Sequence, residues 1–182
     1  MVIFKGSIEV ESYFSNDLQH RYYLRRKYKS DKYSNVKKQK LCYILINPSY
    51  ADELLFDKTN RLASNIGVRE NYNEVVILNM YSLITKDSKI LKKNIDVASD
   101  LTNDQVILDE CLNAERIIVS WGIDKRFDDR RMELLNLLET NAVLQNLYKI
   151  VYTGEDKVYD PAHLSMYLTD NPYNFEIKKF VE

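Results

Sequence analysis

The 182-residue sequence predicts an α/β domain: a central four-stranded parallel sheet with helices on both faces, preceded by N-terminal β elements. Three observations carry this expectation. Four short, almost continuous apolar runs, KLCYILI (40–46), EVVIL (74–78), RIIVSWG (116–122) and YKIVYTG (148–154), recur along the chain. Strands buried on both faces read as such runs, because neither face needs a polar residue. Segments with helical spacing separate the runs, as parallel strands joined by crossovers require. The first thirty residues differ, with the period-two alternation of VIFKGSIEV and the aromatic run RYYLRRKY.

Residues 2–10 and 21–28 accordingly predict two strands of an antiparallel flap. KLCYILI is the first core strand, stopped by Asn47-Pro48-Ser49, since proline cannot continue a ladder. TNRLASNIG (59–67) suits a helix with Thr59 as its N-cap, and EVVIL follows as the second core strand. Residues 102–115 open on a capping threonine, Thr102, and carry apolar positions 106, 107, 111, 112 and 114 at helical spacing. RIIVSWG is the third core strand. Residues 128–147, with leucines at 134, 135, 137, 138, 144 and 147, predict the longest helix, a scaffold or partner surface without chemistry. YKIVYTG is the fourth strand.

No internal repeat or Pro/Gly-rich linker divides the chain, so residues 1–182 are expected to form one domain. The only cysteines, Cys42 and Cys111, lie inside apolar patterns, which argues against a disulfide framework. The N-terminus has no signal-peptide pattern, and no run approaches the roughly 20 apolar residues of a membrane span. A cytoplasmic protein with no membrane contact is expected. Only His20 and His163 are available, and no Cys/His spacing, glycine-rich phosphate loop or G-x-S-x-G elbow occurs; neither metal nor cofactor is expected.

Charge is uneven. Residues 21–40 hold nine Lys/Arg against one acid, Asp31, while the remainder carries 17 basic and 26 acidic residues. Interleaved with Tyr22, Tyr23, Tyr28 and Tyr33, this stretch suits either a phosphate-backbone contact or a solvated hairpin.

In open α/β sheets ligands bind beyond the carboxyl ends of the strands. Those ends present Asn47-Pro48-Ser49 with Tyr50, then Asn79, then Trp121-Gly122, and after the fourth strand Asp160-Pro161-Ala162-His163-Leu164-Ser165. Each has a structural alternative: a strand-ending turn at 47–49, an amide tying down a loop at Asn79, a packed imidazole at His163 and a core indole at Trp121. Asp57 and Thr59-Asn60-Arg61 read as a helix start, with Arg61 a candidate anion contact.

The series INPS, ILN, SWG and HLS resembles the uracil-DNA glycosylase superfamily. Together with RYYLRRKY, DKTNRLA and PAHLSMYL, it is most similar to domain of unknown function 1643, pseudo-uracil-DNA glycosylases of staphylococcal chromosome cassettes, over roughly residues 20–170. The resemblance implies a glycosylase-like fold. It gives Asn47 the water-positioning place, Asn79 the reading of an extruded uracil and His163 the stabilisation of the leaving anion, with Ser49 and Tyr50 beside the base. Ser165, Trp121 and Gly122 become phosphate or DNA contacts, with Ser49 a further phosphate candidate. Phe56 or Asn60 are candidates for the stacking position, and Met166-Tyr167-Leu168 for an apolar wedge.

Departures from the pattern shape the functional expectation. Ser49 stands where active members carry a thymine-excluding tyrosine, Leu164 follows the histidine in place of proline, and Glu155-Asp156 would repel phosphates. The resemblance therefore implies a catalytically inactive or degenerate pseudo-enzyme acting by protein binding, with a small acidic, DNA-mimicking uracil-DNA glycosylase inhibitor as partner and DNA as a further candidate. The alternatives are an active atypical base glycosylase using Asn47, Asn79 and His163, and an unrelated nucleotide-binding domain whose rim serines hold phosphate.

Overall fold

A computed structural model of the chain describes residues 1–33, 38–86, 88–154, 157–167 and 175–180. Among the described residues the fold is mixed α/β, built on one eight-stranded sheet. Its strands are β1 (Gly6–Phe14), β2 (Arg21–Ser30), β3 (Lys38–Leu45), β4 (Tyr72–Asn79), β5 (Arg116–Val119), β6 (Leu147–Thr153), β7 (Val158–Tyr159) and β8 (Glu176–Lys179). The order across the sheet is β1-β2-β4-β3-β5-β6-β7, with β8 also on β6. Pairing is parallel from β4 through β3 and β5 to β6, and antiparallel for β1–β2, β2–β4, β6–β7 and β6–β8. The N-terminal strands are thus part of the main sheet, because β2 pairs along β4 from Tyr23↔Leu78 to Lys27↔Glu74.

Two hydrophobic cores flank the sheet, and the strand residues sort between them by parity. Leu41, Tyr43 and Leu45 of β3 and Val75 and Ile77 of β4 face α1 (Lys58–Arg69), against Leu62, Ala63 and Ile66. Cys42, Ile44, Val76 and Leu78 face the other way, against Ile107 and Cys111 of α3 (Leu101–Leu112) and Leu134 and Leu138 of α4 (Asp128–Thr140). A short helix, α2 (Ser88–Lys93), adds Leu91 to this second core. The apolar runs are continuous because both of their faces are covered. Helix α1 approaches so closely that a Cβ on Gly67 would overlap Val75 Cγ2. Both cysteines are buried free thiols; burial, then the neighbouring Cys111, pushes the Cys42 thiol well up.

Several boundaries differ from expectation. The first strand runs from Gly6 to Phe14 in place of 2–10, because its pairing is fixed by β2, from Gly6↔Ser30 to Phe14↔Arg21. Carboxylates cap α1 and α3: Asp57 accepts from Asn60 N at 2.7 Å and Asp100 from Asn103 N at 2.8 Å, so Thr59 and Thr102 lie inside their helices. The long helix stops at Thr140. Its C-cap is Asn141 and Ala142 turns to φ +58°, after which a 3-10 turn (Leu144–Asn146) leads into β6.

One irregularity bears on the site. Tyr13 pairs with Tyr23 but the next residue, Phe14, pairs with Arg21, so Tyr22 is an extra residue in β2. Such a bulge shifts the parity of the strand. Arg21 thereby takes the α1-facing position, alongside Leu24 and Arg26, while Tyr22 reaches Asp100 at the start of α3 with a 3.1 Å hydrogen bond.

Candidate functional site

The carboxyl ends of β3, β4 and β5 open toward one rim, closed by the loop 46–57 and the segment 160–165. Asn79 is the last residue of β4, paired with Leu45 and 1 % exposed. Parity turns its side chain to the α1 face, and neither its amide nitrogen nor its amide oxygen has a hydrogen-bond partner. A buried amide with both ends unused is rare, since each orphaned group carries its desolvation cost. The neighbouring Asn103 is unpaired only at Oδ1: its Nδ2 donates to Asn79 O, Met80 O and Ser99 Oγ at 3.1–3.2 Å.

Asn47, two residues beyond β3, is half-buried, and its Nδ2 donates to Thr85 O at 2.6 Å and to Pro48 O at 3.1 Å. Its amide nitrogen therefore ties the β3 exit to the β4 exit, a tie repeated by Thr85 N on Pro48 O at 3.1 Å. Ser49 Oγ hydrogen-bonds Asp57 Oδ2, whose other oxygen accepts from Asn60 N and Asn60 Nδ2. Tyr50 is exposed, with Lys86 Nζ 5.0 Å over its ring.

His163 packs beside Gly122, where a Cβ would meet the His163 Cβ at 3.6 Å. Gly122 has φ +70°, the left-handed region that glycine adopts freely. Ser165 N donates to His163 Nδ1 at 3.2 Å, so in the neutral ring the hydrogen belongs on Nε2. Burial pushes the His163 pKa down, against the opposing pull of Asp57. The imidazole is thus neutral near pH 7 and carries an Nε2–H donor. Ser120 Oγ holds Ala162 O at 2.6 Å, fixing this segment to the end of β5.

The rim therefore links Ser49, Asp57 and Asn60 directly, sets His163 within electrostatic reach of Asp57, and leaves Asn79 unpaired. Other predicted contacts sit elsewhere. The Trp121 indole is in the α3/α4 core, edge-on to Phe180 at 6.3 Å, and 1 % exposed. Ser165 is exposed, with its hydroxyl 2.7 Å from His163 Nδ1. Phe56 has one ring face covered by Arg26 at 4.0 Å, and Asn60 is buried against Asp57. Exposed Arg61 lines a cavity of about 390 Å³ with Phe56, Tyr28 and Ser64. The side chains of Met166 and Tyr167, and Leu168, Glu155 and Asp156 altogether, lie outside the described residues. A cavity of about 690 Å³ opens at the opposite end of the sheet, among Gly6, Tyr28, Asp31, Tyr72 and Asn73, away from these groups.

The basic stretch resolves into parts with different roles. Arg25 and Lys40 are absorbed by Glu74 and Glu110, with Arg25 to Glu110 at 2.5 Å and Lys40 to Glu110 at 2.9 Å. Arg21 and Arg26 are each 1 % exposed on the α1 face, where they hold the loop carbonyls of Ala51 and Asp52. Sequence reasoning passed over these two as site residues. The usable signal was two arginines within an aromatic strand pattern, although the bulge that aligns them leaves no mark in the sequence.

A family model described as a protein of unknown function, DUF1643, matches residues 21–163. No curated protein matches the chain. Among the described residues, no helix is long and apolar enough to cross a membrane.

Proposed function

We infer the function of this chain, which belongs to the DUF1643 family of proteins of unknown function, from the unpaired amide at its rim: it is a uracil-DNA-glycosylase-like protein that retains a base-reading amide without efficient catalysis. Asn79 carries this reading. An imide edge such as that of uracil offers an acceptor beside a donor, and a carboxamide with both ends free is its complement. His163, neutral with a hydrogen on Nε2, suits a donor to a carbonyl of the same base. The weak point is hydrolysis. An amide at Asn47 can orient water but cannot accept its proton, and its nitrogen already holds two backbone carbonyls.

Protein binding is the activity that remains, and a small acidic DNA-mimicking glycosylase inhibitor is the proposed partner. The loop bordering the rim supports a protein contact, since Leu54 is 88 % exposed and Leu55 64 % exposed, with Tyr50 and Phe56 nearby. One observation favours the active-glycosylase alternative: the Asp57 carboxylate, within electrostatic reach of His163, stands at the rim where Asn47 lacks a base. Against it, both Asp57 oxygens are engaged by Ser49 and Asn60.

Incubation with uracil-containing single- and double-stranded DNA separates the two. The expected result is binding of uracil, lost in Asn79→Ala, without base release. Base release that disappears in Asp57→Asn or Asn79→Ala would establish the enzyme. Absence of any uracil binding would remove the base-reading role of Asn79 itself, and failure of such an inhibitor to form a complex would remove the partner.

A further inference from the structure

Arg21 and Arg26 form a buried cationic pair whose hydrogen-bonding capacity is mostly unused. Arg21 reaches Ala51 O through Nη1, and Arg26 reaches Asp52 O through Nη2 at 3.1 Å. Arg21 Nε and both Nε and Nη1 of Arg26 have no partner. A guanidinium is a fork of five donors that cannot shed its charge, so burial without a matched acceptor is costly. The nearby acids act on the pair only through space, and Asp57 and one oxygen of Asp52 are committed elsewhere. Asp52 Oδ1 caps Leu54 N and Leu55 N at 2.9 and 2.8 Å, and both oxygens of Asp57 are taken by Ser49 and Asn60. Asp52, Glu53 and Asp57 act on Arg21 only through space, and Arg26 opposes it as a like charge.

The Arg21 end of the pair also borders the end of β4 that carries the base-reading amide, while Arg26 lies opposite Val75. Arg21 N donates to Ser82 O at 2.9 Å, three residues beyond Asn79, and the bulge turns its side chain to the face that Asn79 shares. We propose that Arg21 and Arg26 are the seat of a phosphate monoester, and that the ligand of this rim is a pyrimidine mononucleotide, its base on Asn79 and its phosphate between the two guanidinium groups. Paired forks are the usual protein solution for an oxyanion. The phosphate oxygens take donors now given to the loop carbonyls of Ala51 and Asp52, so the 50–57 loop is the element that yields on binding. The identity of the base rests on the reading of Asn79 given above; the anion half does not.

Calorimetric titration at constant ionic strength tests this with inorganic phosphate, uridine, uridine 5′-monophosphate and a short uracil-containing oligonucleotide. The monophosphate is expected to bind at least about tenfold more tightly than uridine, the scale of one charge-assisted contact. Arg21→Gln and Arg26→Gln are expected to erase that advantage, while Asn79→Ala weakens uridine and leaves inorganic phosphate unchanged. If the wild-type protein binds the monophosphate no more tightly than uridine, the phosphate seat is overturned, whether or not the variants fold. Phosphate binding without uridine binding would keep the seat and remove the base reading. An oligonucleotide whose phosphodiesters match the monophosphate in affinity would overturn the mononucleotide in favour of nucleic acid.

Discussion

Arg130 and Arg21 are both buried cations that donate to a backbone carbonyl outside the strands, yet they occupy opposite faces of the sheet. On the α3/α4 face Arg130 spends every nitrogen: Nε on Met80 O at 3.0 Å, Nη1 on Asp104 and Glu133, Nη2 on Ser99 and Asp104. Burial works to lower its pKa, but the hydrogen bond and charge of Asp104 outweigh this and raise it. On the α1 face, burial lowers the Arg21 pKa to about 10, with Asp57 opposing only from a distance. The asparagines differ in the same direction: Asn103 Nδ2 donates to three acceptors and only its Oδ1 is unpaired, whereas both ends of the Asn79 amide are unpaired. A satisfied buried network fixes a fold, whereas Asn79, Arg21 and Arg26 concentrate unused donors and acceptors on the α1 face, against single unpaired atoms of Asn103 and Arg131 elsewhere.

Matched substitutions on the two faces can break this contrast. The largest expected effect is Arg130→Met, which strands Asp104 and removes the Met80 and Ser99 contacts, at a loss of about 3 kcal/mol in urea denaturation. Arg21→Met, which exchanges an unpaired buried charge for an apolar chain, is expected to change stability by no more than about 1 kcal/mol in the ligand-free protein. Equal losses in the two variants would mean that Arg21 is as structural as Arg130. Next in size, Asn103→Leu should cost about 2 kcal/mol, because it removes the Nδ2 donor that Asn79 O, Met80 O and Ser99 Oγ share. Asn79→Leu should instead gain about 1 kcal/mol, since the buried polar atoms it removes have nothing to lose. A destabilised Asn79→Leu would end the contrast and, with it, the main support for a ligand at this amide.

The smallest expected effect is in the pH dependence. Because the folded state lowers the His163 pKa, folding disfavours its protonation. The contribution is fully present above the ordinary histidine value of about 6.5 and fades as pH falls through the lower folded value. Urea midpoints measured from about pH 7.5 down to about pH 5 should fall less in His163→Gln than in the parent. Identical profiles would show that the imidazole is not withdrawn from water.

The core strands were legible in the sequence because burial on both faces leaves an unbroken apolar run, as in KLCYILI and RIIVSWG. The edge strands β7 and β8 were not: VY and EIKK are short and largely exposed, and pairing with β6 alone makes them strands. Capping failed in a similar way, since threonine, asparagine and aspartate compete for a helix start and only the geometry chooses Asp57. At the site, Asn47, Asn79 and His163 could be named because each ends a recognisable strand or follows one. Arg21 and Arg26 could not. Their charge suggested a phosphate-backbone contact or a solvated hairpin, and their burial depends on how a loop thirty residues away folds over them.

The bulge at Tyr22 gives the arginine pair an unusual kind of vulnerability. Arg21 faces α1 only because β2 carries one residue more than β1 across from it. A single residue added to β1 between Tyr13 and Phe14 would give Tyr22 a partner, restore strict alternation and send the Arg21 side chain through to the α3 face. Arg26 would stay, and the two positive heads would then be separated by the thickness of the sheet. The pairing of these cations is thus encoded in the relative lengths of two strands as much as in the identity of any residue, so that lengthening β1 could dissolve the pair with every present side chain intact.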